Sequence, residues 1–365
     1  MRHSKRQIQR LRWWLGGTAA AVALTSIGAA AADAAAHGTV HKTAAHRAKD
    51  DRAKDGTPDT VTLTFGSYST TKDVYEDQIF PAFQRYWKQK TGQTVIFKDS
   101  YDASGAESRA IASGLPVDVA ALSLADDIDR IKKAGYITHD WQNDPYHGMV
   151  TDSIVAIGVR KGNPKHIRDW TDLAKPGVVV DLPNPQTSGG AKWDITAIYG
   201  AGLKRGSAAD AKKLLASIVR NVKVLDKSGE ASMTTFLNGI GDAVVGYEDD
   251  ILRESHNRRD FTEVIPKATL LIENPVAVID KNVDAHGNRQ VAEAFVAFLR
   301  SPVAQRIFAA NGFRPVNPAV WNEVKSRYTT PPQLFTIASL GGWAKVNQTL
   351  FAQGAIFDQV LAERK

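Results

Sequence analysis

From Asp59 onward the chain alternates short β-rich runs with longer runs whose apolar residues recur at helical spacing, and this alternation restricts it to an α/β layout. Val61-Thr62-Leu63-Thr64-Phe65 reads as the first strand, and 72–91 as a helix with Ile79, Phe80, Phe83 and Trp87 at helical spacing. Further strands are predicted at 94–97, 117–122, 153–160, 178–182, 222–225, 243–247 and 275–279. Helices are predicted over 104–112, 126–134, 193–199, 208–221, 232–238, 290–299 and 303–311, with a polar turn at 99–103. The run 334–361 carries Phe335, Trp343, Phe351 and Phe357, an aromatic stripe read as core that packs back across the body.

A chain of 365 residues, 43% hydrophobic and 23% charged, is globular and long enough for two domains. It has no cysteine, which excludes disulfides, a catalytic thiol, iron–sulfur clusters, thiolate zinc sites and a lipoprotein anchor. Arg2, Lys5, Arg6, Arg10 and Arg12 precede the apolar run from Trp13 to Ala32, the pattern of a cleaved secretory signal over 1–32. Export from the cytoplasm follows. Residues 33–58, rich in Ala, Lys and Asp with His37, His41 and His46, read as a disordered tether; weak metal binding by the three histidines is the alternative.

The net charge of +7 suggests nucleic acid only until its location is considered. Residues 1–32 hold five of the 46 basic groups and none of the 39 acidic ones, leaving 41 against 39 for the exported chain. The body from Asp59 carries 36 basic and 35 acidic residues, so no polyanion footprint remains.

The segment Asn184-Pro185-Gln186-Thr187-Ser188-Gly189-Gly190-Ala191-Lys192-Trp193 brings a hydroxyl and two glycines to the start of a helix. Helix starts expose amide N–H groups at the positive end of the backbone dipole, and glycine permits close approach, so such a loop suits an oxyanion. Ordinary serine capping explains the same residues. A second start, Ser104-Gly105, follows the 94–97 strand, and Ser104 to Glu107 has the spacing of a capping box. Two glycine-backed starts could share one anion.

In order along the chain, many short stretches resemble the sulfate-binding subunits of bacterial ABC importers. They include Ser67-Tyr68 with Tyr75-Glu76, Trp87-Lys88 with Thr91-Gly92, Ala103-Ser104-Gly105, and Val117-Asp118-Val119 leading to Asp127-Ile128. Arg160-Lys161-Gly162-Asn163-Pro164, Asp169-Trp170, the loop from Asn184 to Gly190 with Trp193, and Gly239-Ile240-Gly241-Asp242 follow. Arg314-Pro315, Gly341-Gly342-Trp343-Ala344-Lys345 and Phe357-Asp358-Gln359 complete the set. The resemblance covers nearly everything from Val61 to Gln359.

It implies a two-lobed periplasmic binding protein fold of type II that closes on a dehydrated tetrahedral dianion in the interlobe cleft. The implied ligand is sulfate or thiosulfate, the partners are the membrane permease and ATPase subunits of an ABC importer, the chain is a monomer, and no cofactor, metal or catalytic residue is needed. Carried over residue by residue, the ligand-binding positions are Ser104, through its side chain and neighbouring amides, and Ser188, Gly189 and Gly190 from the opposite lobe. Backbone donors fall at Ser69, where the family usually has aspartate, and at or near Gly229. Tyr247 stands where the sulfate binders usually present a tryptophan N–H; its phenol can donate but also accept, which is reminiscent of the molybdate binders, or it packs in the cleft. Molybdate or tungstate is therefore the alternative solute.

The implied lobes run 59–151 with a return at 273–365, and 152–272, with 153–160 and 270–278 as crossing strands that act as a hinge. A donor-only pocket takes fully ionised sulfate and rejects phosphate, whose proton needs an acceptor. Asp102 and Glu107 flank Ser104 and are expected to face solvent or pair elsewhere. An exported enzyme is the distant alternative: Asp249 and Asp250 form an acid–base pair, bridge the lobes or touch the permease. No histidine lies in a hydrolase motif, and His139, His147, His166 and His256 read as surface or cap residues. A metal-binding protein of this fold would need a ligand cluster that the sequence does not offer.

Overall fold

The computed structural model describes residues 59–258 and 260–364; the expected signal peptide and tether lie outside the described residues. Strand β1 (Thr60–Tyr68) pairs in parallel with β2 (Thr94–Asp102) and β3 (Val119–Ala121). Strand β4 (Met149–Arg160) leads on to β5 (Val180–Pro183), β6 (Val222–Asp226), β7 (Ala243–Tyr247), β8 (Phe261–Val264) and β9 (Ala268–Val278). The ladder order is β2-β1-β3-β9-β4-β7-β5-β6, with β8 paired to β4.

Strands β4 and β9 are long enough to belong to both halves. Asp152 lies opposite Glu273 and Ile154 opposite Leu271, and a register shift falls between Met149 and Thr151. Beyond these pairs β4 continues antiparallel to β7, from Val155 opposite Tyr247 to Val159 opposite Ala243. At its other end β9 pairs antiparallel with β3. Two strands thus carry the chain between one parallel sheet, β2-β1-β3, and another, β6-β5-β7.

Each half has its own apolar core. Leu63, Phe65, Phe83, Phe295 and Phe308 are buried together in the first, and Val180, Trp193, Ile198, Leu215 and Val245 in the second. The C-terminal segment joins the second core through Phe335, Leu350, Phe357 and Val360, and Trp343 meets Trp193 edge-on at 4.7 Å. The aromatic stripe is core, as its spacing predicts, but the core of the second half: the expected return of 273–365 to the first half does not extend to this segment, because Gln333–Phe335 pairs with Ala268–Leu270 of β9 and the aromatics fill the second core. A Cβ at Gly200 would overlap the Phe335 ring, so only glycine lets this segment seat on the helix Gly189–Arg205.

Several elements differ from the sequence reading. The 99–103 turn is absent: β2 continues to Asp102, held in register against Tyr68, because the whole edge of β1 is available to pair. The predicted 72–91 helix carries a π-type turn at Tyr75–Ile79 before Phe80–Thr91. Pro81 has no N–H to give the preceding turn, and the wider turn accommodates that loss. The helix Glu248–Arg258, with three acidic residues in its first turn, has no counterpart among the predicted helices. No helix among the described residues is long and apolar enough to cross a membrane.

Asp152 and Glu273 are like charges directly opposite on the crossing strands. Loss of solvation, then the nearness of Glu273, pushes the Asp152 carboxyl up to about 7, while Arg314 pulls it down. A carboxyl raised in the folded state gives stability that is full below its ordinary value and lost as pH rises through the raised one. Asp152→Asn should therefore melt higher than the parent at pH 8, by less at pH 5, and close to it at pH 4, measured by thermal denaturation across that range.

Candidate functional site

Four chain reversals at the carboxyl ends of parallel strands converge. Strand β1 runs into a tight turn at Ser69–Thr71, and the helices Ser104–Ala112, Gly189–Arg205 and Gly229–Leu237 begin just after β2, β5 and β6. They enclose a cavity of about 10 Å³ lined by Ser69, Ser104, Ser188, Gly190, Gly229 and Tyr247, together with Tyr68, Thr70, Ala103, Ser123 and Ser228. All six of the former were expected from the sequence; Ser123, Tyr68, Thr70 and Ser228 were not. The three helix starts contribute amides that have no intrahelical acceptor and the positive ends of three backbone dipoles. No charged side chain lines the cavity among the described residues.

The serines do different work. Ser188 is an N-cap whose Oγ accepts the Ala191 N–H at 3.2 Å, which leaves its hydroxyl hydrogen for another acceptor. Ser228 caps the helix at Gly229 in the same way, through the Ala231 N–H at 3.1 Å. Ser104 is no cap: Ala103 holds that position without a side-chain bond, so the Ser104-to-Glu107 capping box does not form. Ser104 Oγ donates to Asp127 Oδ2 at 2.6 Å and accepts the Ser123 N–H at 2.9 Å. The hydroxyl that the resemblance assigns to the solute is engaged by Asp127, whose other oxygen takes Arg130 at 2.5 Å. What Ser104 brings to the cavity is the first amide of its helix.

Gly189 lies just outside the lining, and its lack of a side chain is what brings the halves together. A Cβ there would stand 2.5 Å from Leu124 Cδ2 and 2.6 Å from Ser123 Oγ. At Gly105 a Cβ would stand 2.9 Å from the Thr187 carbonyl, so the two glycine-backed helix starts approach each other directly. Ser123 ties this contact down. Its carbonyl accepts Trp193 Nε1 at 3.0 Å and Asn274 Nδ2 at 2.9 Å, and its Oγ lies 2.5 Å from Tyr247 Oη. A lone serine between β3 and the next helix has no spacing or motif that sequence reading could use. Tyr247 is buried, and its ring stacks on Tyr68 at 5.9 Å.

Behind the cavity lies an unusual acidic layer. Asp194, one turn into the helix that Ser188 caps, is buried with neither carboxyl oxygen paired among the described residues. Burial, reinforced by Asp250, pushes its pKa far above the usual carboxylate range and keeps it neutral. Asp249, raised by burial and then by Asp250, accepts the Ser153 hydroxyl at 2.6 Å. Asp250 pairs with Arg253 at 2.7 Å, and Arg253 also donates to the Thr70 carbonyl at 3.3 Å. That last bond, made by Arg253 and not by either aspartate, links the two halves; burial removes both aspartates from any docking surface. Neither lines the cavity.

Asp102 is exposed, and Glu107 is buried with Oε2 accepting the Ser100 hydroxyl at 3.2 Å, so both keep away from the cavity. His139 binds Asp280 at 2.6 Å, and His256 is exposed. No cluster of metal-ligating side chains occurs among the described residues.

The family model described as bacterial extracellular solute-binding protein matches residues 63–314. A sulfate-binding protein of Synechococcus elongatus is 41% identical over 330 residues, spanning 90% of this chain and 94% of that one. A thiosulfate-binding protein of Pseudomonas aeruginosa is 36% identical over 80% of this chain and 90% of its own length. This chain belongs to the sulfate-binding family of bacterial extracellular solute-binding proteins. The solved structure of the sulfate-binding protein SubI from Mycobacterium tuberculosis H37Rv superposes with a TM-score of 0.73 at 36% identity, covering 80% of this chain and 99% of that chain. The fold is thus the two-lobed type II fold, with the cavity between the lobes. The family's members are binding proteins, in agreement with the reading of this chain as no enzyme.

Because Gly189 of one lobe meets Ser123 and Leu124 of the other, Gly189→Ala penalises only the closed arrangement, by the ~1–3 kcal/mol typical of overpacking. Solute affinity should fall about tenfold or more while the solute-free protein melts as before; titration calorimetry with thermal denaturation checks both.

Proposed function

We propose that this chain captures sulfate outside the cytoplasm and delivers it to the permease and ATPase subunits of an ABC importer. One observation carries the reading: three helix starts and a set of neutral hydroxyls line one cavity that contains no charged side chain. Such a lining stabilises a dianion through many partial charges, with no counterion and no acceptor for a solute proton. The cavity of about 10 Å³ is far below the ~300–1,000 Å³ of sites for organic ligands, so the solute is a compact ion. The names of the relatives, sulfate-binding and thiosulfate-binding, agree with that chemistry.

In this reading Ser188 donates its hydroxyl hydrogen, Ser69, Ser104, Gly190 and Gly229 donate amides, Gly189 sets the lobe contact beside its own amide, and Tyr247 closes the site. The lobes are 59–151 with a return that begins at 273, and 152–272 with the C-terminal segment from 333 onward, and the β4–β9 pair is the hinge. Residues 1–32 direct a monomer to the periplasm, where 33–58 serve as a tether. Hydrogen phosphate is rejected because no carboxylate lines the cavity to take its proton. Thiosulfate, with the same charge and tetrahedral shape, is the second solute this site accommodates.

Titration of the mature, solute-stripped protein tests the proposal. Sulfate should bind at least a hundredfold more tightly than phosphate, and Ser188→Ala should weaken sulfate by about tenfold or more, the loss of one bond to a charged acceptor. Preference for molybdate, or no oxyanion binding, overturns it.

A further inference from the structure

We propose that Ser123 is a further solute-contacting residue and acts with Tyr247 as one unit, two hydroxyls that share a hydrogen bond and present a single hydrogen to the bound oxyanion. This rests on the oxyanion reading above and assigns a residue that neither the sequence nor the family resemblance pointed to. Ser123 and Tyr247 come from opposite lobes, are 0% and 3% exposed, and both line the cavity. Their oxygens are 2.5 Å apart, and either can be the donor.

Hydrogen counting does the rest. Each hydroxyl has one hydrogen, and among the described residues Ser123 Oγ and Tyr247 Oη hydrogen-bond only to each other. Whichever donates within the pair, the other keeps an unspent hydrogen in a buried place, which is costly unless the solute accepts it. Burial pushes the Tyr247 phenol well above its ordinary range, against the opposing pull of Ser123, so both hydrogens are present at neutral pH. The pair also borders the helix start that offers free amides: the Cβ position of Gly189 is 2.6 Å from Ser123 Oγ, and that of Gly190 is 3.9 Å from Tyr247 Oη. A hydroxyl hydrogen released there and the first amides of that helix serve the same acceptor.

The arrangement is redundant. Remove either hydroxyl and the survivor loses its internal partner but retains a hydrogen, which it gives to the solute. Only removal of both leaves that oxygen of the anion without a donor. The affinities of Ser123→Ala, Tyr247→Phe and the double variant therefore do not multiply.

Isothermal titration of the full mature protein and these three variants with sulfate reads this directly, with melting of the solute-free forms separating folding defects from binding ones. Each single variant should weaken sulfate by less than about tenfold, and the double variant by about a hundredfold, more than the product of the two. A double loss equal to or smaller than that product, or a Tyr247→Phe loss as large as the double, overturns the shared-hydrogen pair. Should the parent ignore sulfate, the functional proposal fails by itself, and the same four proteins titrated with thiosulfate or molybdate decide the pair. If the parent binds none of the three, both proposals fall.

Discussion

The antiparallel pairing of β4 with β9 is the constraint on which the remainder of the molecule depends. These strands are continuous across two parallel sheets, so the sheets cannot separate, and contacts such as Ser123 with Tyr247 and Trp193 fix how the two halves meet at the cavity. The cavity sits where the carboxyl ends of β1, β2, β5 and β6 face one another across that joint. Every residue proposed to touch solute is placed by its distance from the joint, and none lies on it. Placing unlike functions on separate elements lets the crossing strands tolerate unfavourable carboxylates such as Asp152 and Glu273 without disturbing the donors.

The electrostatics of the site follow a consistent rule. Positive potential at the cavity comes from backbone, not from lysine or arginine, and the nearest full charges cancel in local pairs, Asp127 with Arg130 and Asp250 with Arg253. Behind them, Asp194 and Asp249 are too deeply buried to ionise readily, so carboxyls that would repel an anion are held neutral by the same dryness that strengthens each amide donor. A site of this kind gains its selectivity from what it lacks. With no carboxylate directed inward, a protonated solute finds no charged acceptor for its hydrogen.

Much of this was legible in the sequence, and the failures have physical causes. The glycine-backed starts at Ser104 and Ser188 carry local signals, a turn residue followed by a helical run, and both helices begin there. Ser69 and Gly229 became visible only through the family resemblance, because a backbone donor leaves no trace in side-chain chemistry, and so did Tyr247, a lone tyrosine at the end of a strand. Ser123 escaped both approaches: its four bonds reach Ser104, Trp193, Tyr247 and Asn274, residues 19 to 151 positions away. The reading of 99–103 as a turn failed for a related reason, since Asp99, Ser100 and Asp102 look like turn formers until a long partner strand is laid beside them. Ser104 shows the limit of transfer between relatives: the residue is where it was expected, but its hydrogen goes to Asp127.

The seating of Phe335, Trp343 and Phe357 against the helix that begins at Gly189 has a consequence for the order of events in a cell. A chain made from its N-terminus delivers that helix well before the residues that cover it. Until they arrive, a long apolar face stands in water, open to aggregation and to proteases. The second core is thus closed by the last part of the chain to be made, and its folding waits on the end of synthesis.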